Sequence, residues 1–347
     1  MAMTPTRSPF RDTARALTAA ALAVGLAACG SSGGGEPAGA FSGEDVDLVV
    51  PYEPGGGYDA YSRALAPYLE ECLDATIVVR NEPGAGGLVA TNKTAAAGPE
   101  ENRFEIVNTV GLVSAQIAQA KGANFDLNDL NWIGRVSAPP NVVVVAQDSP
   151  VQGFADLVRP QQPVRFVAQG PGANDFIAPN IVGTAYGFPF EIITGFAGSS
   201  EARTAVVAGN ADAHVLPVDS QLPSIESGDV RPIVTIDDKP DPLLPDTPTI
   251  YDAAPPEPRA KAIIDNLVAL GQTGRGLIAS PQMPVERVEA LRQGFQCAAG
   301  NQELLAELEQ QQRPLNPLGG QETAQLVAEV LGAPEEFRRL VVDSYQA

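Results

Sequence analysis

The chain has 347 residues, with 22 Lys and Arg against 42 Asp and Glu, a formal net charge of −20 and a single His. A surface this acidic repels polyanions, which argues against recognition of nucleic-acid phosphates and against docking on anionic headgroups. One His and three Cys leave no HExxH site, no Cys/His zinc cluster and little scope for a His-based triad, whereas 44% hydrophobic residues fit a globular chain with a sizeable core.

In chain order, the first segment reads as an address. Arg7, Arg11 and Arg15 precede an apolar run from Ala16 to Ala28, too short to span a bilayer permanently, as in a secretory signal. The run closes on Leu26-Ala27-Ala28-Cys29, which resembles a bacterial lipobox, so residues 1–28 are expected to be removed and Cys29 lipidated. Residues 29–43 are expected to be the lipidated Cys and a flexible Gly/Ser-rich tether. No later run of about 18 apolar residues occurs, so membrane attachment is expected through the lipid alone. Cys72 and Cys297 are a candidate disulfide in that oxidising setting, the alternative being two separate thiols buried on helices.

From Asp45 the chain repeats strand, Gly-rich turn and helix. Val46–Pro51 is a strand, PGGG a turn and Asp59–Leu73 a helix; Thr76–Arg80 is a strand, followed by NEPGAGG and a helix over Leu88–Ala97. Phe104–Asn108 and Asn141–Ala146 follow as strands. A second series places strands at Val164–Ala168, Phe190–Thr194, Ala213–Val218 and Val230–Ile236, with helices from about Asp175 to Tyr186 and over Glu201–Ala208. Asp237–Pro258, crowded with Pro and acids, reads as an irregular connection, followed by a strand near Gly276–Ala279 and helices at Val285–Ala298, Gln302–Gln311 and Gln321–Val330. The alternation predicts an α/β protein with mostly parallel sheets, in two domains with a cleft between them.

Four Gly-rich loops join strands to helices, at Tyr52–Asp59, Pro83–Gly87, Gln169–Asn174 and Gly195–Ser200. Backbone N–H groups of such loops and the following helix N-termini attract anions without help from Lys or Arg, although Asp59 and Asp175 also suit simple helix caps. No loop reads GxxxxGK[ST], GAGGLVA lacks the third small residue of GxGxxG, and the folded part holds no GxSxG elbow. His214, alone in the apolar segment AHVLPV, reads as structural, and no metal or cofactor site is indicated.

VDLVVPYEPGGGYDAYSRALAPYLEECLDATIVVRNEPGAGG resembles the opening of the tripartite tricarboxylate transporter substrate-binding proteins, the TctC or Bug receptors. WIGRVSAPPNVVVVAQDSPVQGFADLV, AVVAGNADAHVLPVDSQLPSIESGDVRPIVTI, LLPDTPTIYDA and GLIASPQMPVERVEALRQGF are similar to later segments of that family, in order, over about Asp45 to Val342. The resemblance implies a two-domain flytrap of the type II periplasmic-binding fold, with residues 44–140 and 259–347 as a discontinuous first domain and 141–258, with the crossing segments, as the second. It implies a monomeric, non-catalytic receptor outside the cytoplasm that closes on a small carboxylate and delivers it to integral membrane transporter subunits. The contacts it implies are Tyr52, Pro54, Gly55, Gly56, Gly57, Tyr58 and Asp59 in the first loop, with Thr109. Gln169, Gly170, Ala173, Asn174 and Asp175 are their counterparts in the second domain, with Phe196, Ala197, Gly198 and Asp219 flanking the cleft. The second loop, QGPGAND, lacks the Ser and Thr usual in the family, and Asp175 disfavours a plain dicarboxylate unless it points away or meets a ligand amine. Rival readings are a sensor that presents the solute to a signalling partner and, at odds with the missing nucleophile elbow, a secreted α/β hydrolase.

Overall fold

The computed structural model describes residues 37–171 and 173–346; the expected signal peptide and Cys29 lie outside the described residues, as do most of the tether and Gly172 of the second-domain loop. A short helical turn, Pro37–Phe41, leads into strand β1, Asp45–Val50. Although these residues belong to the expected tether, Phe41 is fully buried and its ring packs under the Arg287 guanidinium at 5.2 Å. Burying one such side chain contributes roughly 1.5–3 kcal/mol, enough to pin the start of the body.

Helix α1 (Gly57–Leu73), strand β2 (Thr76–Asn81), helix α2 (Leu88–Ala96), strand β3 (Arg103–Asn108), helix α3 (Thr109–Ile117) and strand β4 (Asn131–Ser137) follow. After them come strand β5 (Asn141–Ala146), helix α4 (Phe154–Leu157), strand β6 (Val164–Val167), helix α5 (Asn174–Tyr186), strand β7 (Phe190–Ile193), helix α6 (Ser199–Val207), strand β8 (Ala213–Pro217), helix α7 (Val218–Glu226) and strand β9 (Val230–Ile236). Helices α8 (Ile250–Ala253) and α9 (Pro258–Gly271) lead to strand β10 (Arg275–Ala279), helices α10 (Val285–Ala299) and α11 (Gln302–Gln310), strand β11 (Leu318–Gly319) and helices α12 (Gly320–Leu331) and α13 (Glu335–Ser344).

Among the described residues the strands form a six-stranded sheet, ordered β11-β4-β10-β3-β1-β2, and a five-stranded sheet, ordered β7-β6-β8-β5-β9. Both are mixed, where mostly parallel pairing was expected. β1 is parallel to β2 and β3, but β10 runs antiparallel to β3 and β4. β6 is parallel to β7 and β8, but β5 runs antiparallel to β8 and β9. The reason is the crossing. β4 passes through Ala138-Pro139-Pro140 directly into β5, so one extended segment ends at the junction in the first sheet and begins there in the second. β10 likewise enters from the junction, with Arg275 opposite Asn108 and Ser137.

Val142–Val145 are all buried because helices cover both faces of their sheet, which is why that run is continuous in β-branched residues. One core cluster is shared by residues of both sheets, from Val107 and Trp132 to Val143, Phe166 and Val234. Helices α1, α10 and α11 cover the other face of the first sheet. The sequence reading did not anticipate α3, α9 or α13. The segment forming α3 is apolar on nearly every side and starts directly at the end of β3, so no turn signal separates the two. α9 does show helical spacing in Ile263, Ile264, Leu267 and Leu270, with Pro258 at its start, and was hidden behind the Pro-rich connection. That connection is itself partly ordered, through α8 and a bridge from Thr249 to Thr235.

A disulfide joins Cys72 at the end of α1 to Cys297 on α10, with Cα atoms 6.1 Å apart across a sequence separation of 225 residues. It ties the two ends of the discontinuous first sheet, and a cross-link closing so long a loop stabilises a fold by typically 2–4 kcal/mol. Replacing both cysteines by Ala is therefore expected to lower the denaturation midpoint by that order, and a reducing agent should lower the midpoint of the wild-type chain but not that of the double variant. Equal midpoints with and without reductant in the wild type would show that the bond carries no stability.

Candidate functional site

The carboxyl ends of β1, β6, β7 and β8 open into loops that meet over one cavity of about 200 Å³, walled by Tyr52, Gly57 and Tyr58 on one side and by Gln169, Ser199 and Ser220 on the other. Past Tyr52 and Gln169 it continues into a more open groove of about 420 Å³, bounded by Pro83–Gly86 and Gly195–Ala197. Four helices start around this space. Their N-cap residues are Gly56 for α1, Ala173 for α5, Gly198 for α6 and Pro217 for α7, and none provides a side-chain cap. Gly56, Gly198 and Pro217 line the cavity itself. Helix starts without capping side chains turn the positive ends of their dipoles toward such a space, with Val218 N, the first amide of α7, already donated to Pro140 O at 2.9 Å.

The first loop is held in shape by its own aspartate. Asp59 accepts hydrogen bonds from Gly55 N (2.9 Å), Arg63 Nε (3.0 Å) and Asn81 Nδ2 (3.0 Å), and Asn81 also donates to Tyr52 O. Burial opposes ionisation of Asp59, but these donors outweigh it and hold the carboxyl below its usual range. Gly55 takes φ +88°, a left-handed conformation open to glycine. Across the groove, a Cβ placed on Gly86 (φ +67°) would lie 2.2 Å from Pro171 O, so the PGAGG turn and the second-domain loop touch through backbone alone.

Behind the cavity wall lies a buried ion pair. Arg275 Nη2 donates to Asp219 Oδ1 (2.8 Å) and Ser220 Oγ (3.0 Å), Nη1 donates to Ser137 Oγ (3.0 Å), and the two charged side chains are 1% and 0% exposed. The guanidinium stacks over the rings of Tyr58 (5.1 Å) and Tyr61 (4.9 Å). Burial disfavours the charge on Arg275, but Asp219 and the two tyrosines more than offset it and raise its pKa, while burial also pushes both phenols up. The pair joins β10 and β4 of the first sheet to α7 of the second. A Cβ on Gly57 would lie 2.4 Å from Ser220 Oγ and 3.1 Å from Arg275 Nη2, so α1 and α7 meet within their first turns at a position where a side chain would displace the ion pair's partners.

Of the expected contact residues, Tyr52, Pro54, Gly56, Gly57, Tyr58, Gln169, Ala197 and Gly198 line the cavity and Phe196 lines the groove. The structure places the others elsewhere. Asp59 and Asp219 are consumed by Arg63 and Arg275. Asp175 is fully buried, turned inward to accept from Gln169 N (3.1 Å) and Nε2 (3.2 Å), and lies 3.3 Å from His214 Nε2. Gln221 Nε2 donates to His214 Nδ1 (3.2 Å), which makes Nε2–H the donor to Asp175. His214 is thus one member of a buried chain linking β8, α5 and α7. Thr109, Ala173 and Asn174 are buried in the wall, while Gly55 and Gly170 lie outside the lining. Sequence reasoning missed Arg275, which stands in an unremarkable strand, and Ser220, whose only signal was its place beside Asp219. It named no role for Glu53 or Glu201, which also line the cavity.

The sequence pattern of the tripartite tricarboxylate transporter family receptors (TctC) matches residues 61–333. The chain belongs to that family. A UPF0065 protein from the tcbD-tcbE intergenic region of Pseudomonas sp. (strain P51) is 28% identical over 305 residues, 82% of this chain and 88% of its own. Protein BugT of Bordetella pertussis (strain Tohama I) is 23% identical over 218 residues, 61% of this chain and 66% of its own. Among solved structures, the periplasmic binding protein BugD aligns at a TM-score of 0.73 and 20% identity, covering 88% of this chain and 98% of that one. MatC from Rhodopseudomonas palustris, solved with bound malate, aligns at 0.73 and 21% identity, covering 86% and 99%. These two establish the architecture as the two-domain type II periplasmic-binding fold. The receptor is an extracytoplasmic solute-binding protein and not an enzyme.

Two measurable consequences follow for the receptor. Replacing Asp219 by Ala strands a buried guanidinium, which costs about 3–5 kcal/mol, whereas replacing Arg275 and Asp219 together by Met and Leu should restore most of that loss. Chemical denaturation of the two variants checks this, and an unchanged midpoint for the Ala variant would mean that the pair carries no strain when broken. The second concerns Glu105 on β3, which is fully buried and accepts from Thr91 Oγ1 at 2.8 Å. Burial pushes its carboxyl from 4.5 up to about 7, against the opposing pull of the Thr94 and Thr91 hydroxyls and Arg103. Between those two values the folded state holds a proton that the unfolded state has released, so Glu105 makes the receptor lose stability as pH rises through that window. Glu105→Gln should flatten the fall, read as denaturation midpoint against pH; an unaltered slope would assign the pH dependence to other groups.

Proposed function

We propose that this receptor is a lipid-anchored protein that captures a small carboxylate-bearing solute in the cavity between its two sheets and delivers it to integral membrane subunits of a tripartite tricarboxylate-type transporter. The observation that carries the ligand class is the convergence on one cavity of helix starts at Gly56, Gly198 and Pro217, none of them capped by its own side chain. Several helix starts bordering one cavity can hold a carboxylate without a basic residue, because their partial charges add. Two similar structures point the same way: MatC was solved with malate, and another Rhodopseudomonas palustris protein with adipate, both dicarboxylates. Binding energy that stabilises the approach of the two loops at Gly86 and Pro171 is all a receptor needs in order to report occupancy to a partner.

Anchoring is supported by Leu26-Ala27-Ala28-Cys29 after the apolar run, and by the fact that, among the described residues, no helix is long and apolar enough to cross a membrane. With an acidic surface that anionic headgroups repel, a lipid on Cys29 is the attachment this reading requires. Cys29→Ser should release the protein from the membrane fraction.

The ligand class is tested by thermal melting of the purified protein against mono-, di- and tricarboxylates, amino acids and neutral sugars. A bound carboxylate stabilises by about 2.7 kcal/mol at 100 times its Kd. Gly86→Ala, which sets a methyl group against the Pro171 carbonyl, should weaken that ligand at least about tenfold, since closure is the step it obstructs. Stabilisation by sugars alone would overturn the carboxylate reading, and full affinity in the Gly86 variant would remove the loop contact from the bound state.

A further inference from the structure

We infer that the solute carries a cationic nitrogen as well as its carboxylate, and that Glu53, with Glu201 across the cavity from it, is the residue that selects for that charge. This rests on the carboxylate reading above and deepens it. The charged side chains lining the cavity and its groove are Glu53 and Glu201, and no Lys, Arg or His is among the lining residues. Cations nearby are already neutralised, Arg275 by Asp219 and Arg63 by Asp59. Behind the same wall the buried Asp175 has, among the described residues, no Lys or Arg partner and adds to the negative field, whereas Asp219 is cancelled by Arg275. A ligand with two carboxylates would have one of them served by the helix starts and the other facing glutamate.

Three further observations give the acids a receiving role. Glu53 lines both the cavity and the groove, and among the described residues its carboxylate has neither a hydrogen bond nor an ion pair. It sits at the point where the two sides of the cleft come together, its Cβ 3.6 Å from where a side chain on Gly198 would begin. Glu201 is fixed on the opposite side, because one of its oxygens accepts from Ala197 N at 2.8 Å. Aromatic rings line the same space. Tyr52 and Tyr58 pack with ring centroids 4.8 Å apart, Phe196 bounds the groove, and the buried hydroxyl of Tyr58, a cavity-lining residue, has no hydrogen-bond partner. A carboxylate without a partner, in a cavity that no basic side chain lines, is the chemistry that holds an ammonium by charge, while the rings supply apolar contact, the Tyr58 face being already covered by Arg275.

The test compares ligands of equal length in which one carboxylate is exchanged for an ammonium: glutarate with ω-aminovalerate, and adipate with ω-aminocaproate. Each is titrated by calorimetry into the purified full chain and into Glu53→Gln and Glu53→Lys, with the unliganded melting temperature confirming that each variant is folded. The amine-bearing member of at least one pair should bind about tenfold or more tightly than its diacid. Glu53→Gln should narrow that ratio, and Glu53→Lys should invert it in favour of the diacid. A diacid that binds the wild type as well as its amine partner, or a ratio unmoved by Glu53→Lys, overturns the inference and leaves carboxylate capture standing. Failure of all four ligands and of the wider carboxylate panel overturns both.

Discussion

The receptor is organised around a charge pair taken entirely out of water. Arg275 opens β10 and Asp219 lies in the first turn of α7, so the bond between them ties the first sheet to the second at the junction through which the chain crosses. Desolvating two charges is expensive, and their attraction recovers the cost only where geometry is good and other partners are present. Here Ser137 and Ser220 take further donors of the guanidinium, and the faces of Tyr58 and Tyr61 enclose it. Those partners come from β4, α7 and α1, so holding one arginine positions elements from both sides of the cleft, even with its Nε left unpartnered. The value of such a pair lies less in net stability than in registry, since any other arrangement of these elements leaves a charge stranded.

That registry decides what the cavity is made of. With Gly57 packed on the Ser220 hydroxyl and Gly86 on the Pro171 carbonyl, the loops approach closely, and the first turns of α1, α6 and α7 border the same space. A protein with net charge −20 can still hold an anion there, because screening over roughly 8 Å at physiological salt separates the outer charge from a wall of oriented amides. The acids that do reach the cavity, Glu53 and Glu201, are few enough to act as selectors rather than as a barrier. The acids that do not, Asp59, Asp175 and Asp219, build the wall: one folds the first loop, one anchors the Gln169 turn to His214, and one completes the ion pair.

Much of this was legible in the sequence because it is local. The periodicity of Val46–Pro51 and Asp59–Leu73, and the run Asn141–Ala146, mark elements that the structure shows at nearly the same positions. Glycine positions were legible for the same reason, since Gly55 and Gly86 adopt backbone angles that other residues resist. What was not legible depended on partners distant in the chain. An aspartate in the first turn of a helix reads alike whether it faces a ligand or a protein donor, so Asp59, Asp175 and Asp219 were read as cleft residues although protein donors already hold at least one oxygen of each. Arg275 and Ser220 offered no local pattern, and α3 was hidden because a helix buried on nearly all sides has no polar stripe to reveal its period.

By itself, then, the sequence determined the alternation of strands and helices, the four glycine loops, the family resemblance and the pairing of two cysteines as a possibility. Each is set within a short window by backbone sterics and side-chain periodicity, or by motifs in fixed order. Tertiary structure alone decided strand direction in both sheets, the union of Cys72 with Cys297, the burial of Phe41, and which acids face the cavity. Strand direction follows from where the chain crosses between sheets, and the fate of an acid follows from whether a donor from another element reaches it first. Both are properties of packing over long separations, so the amino acids of any one segment do not contain them.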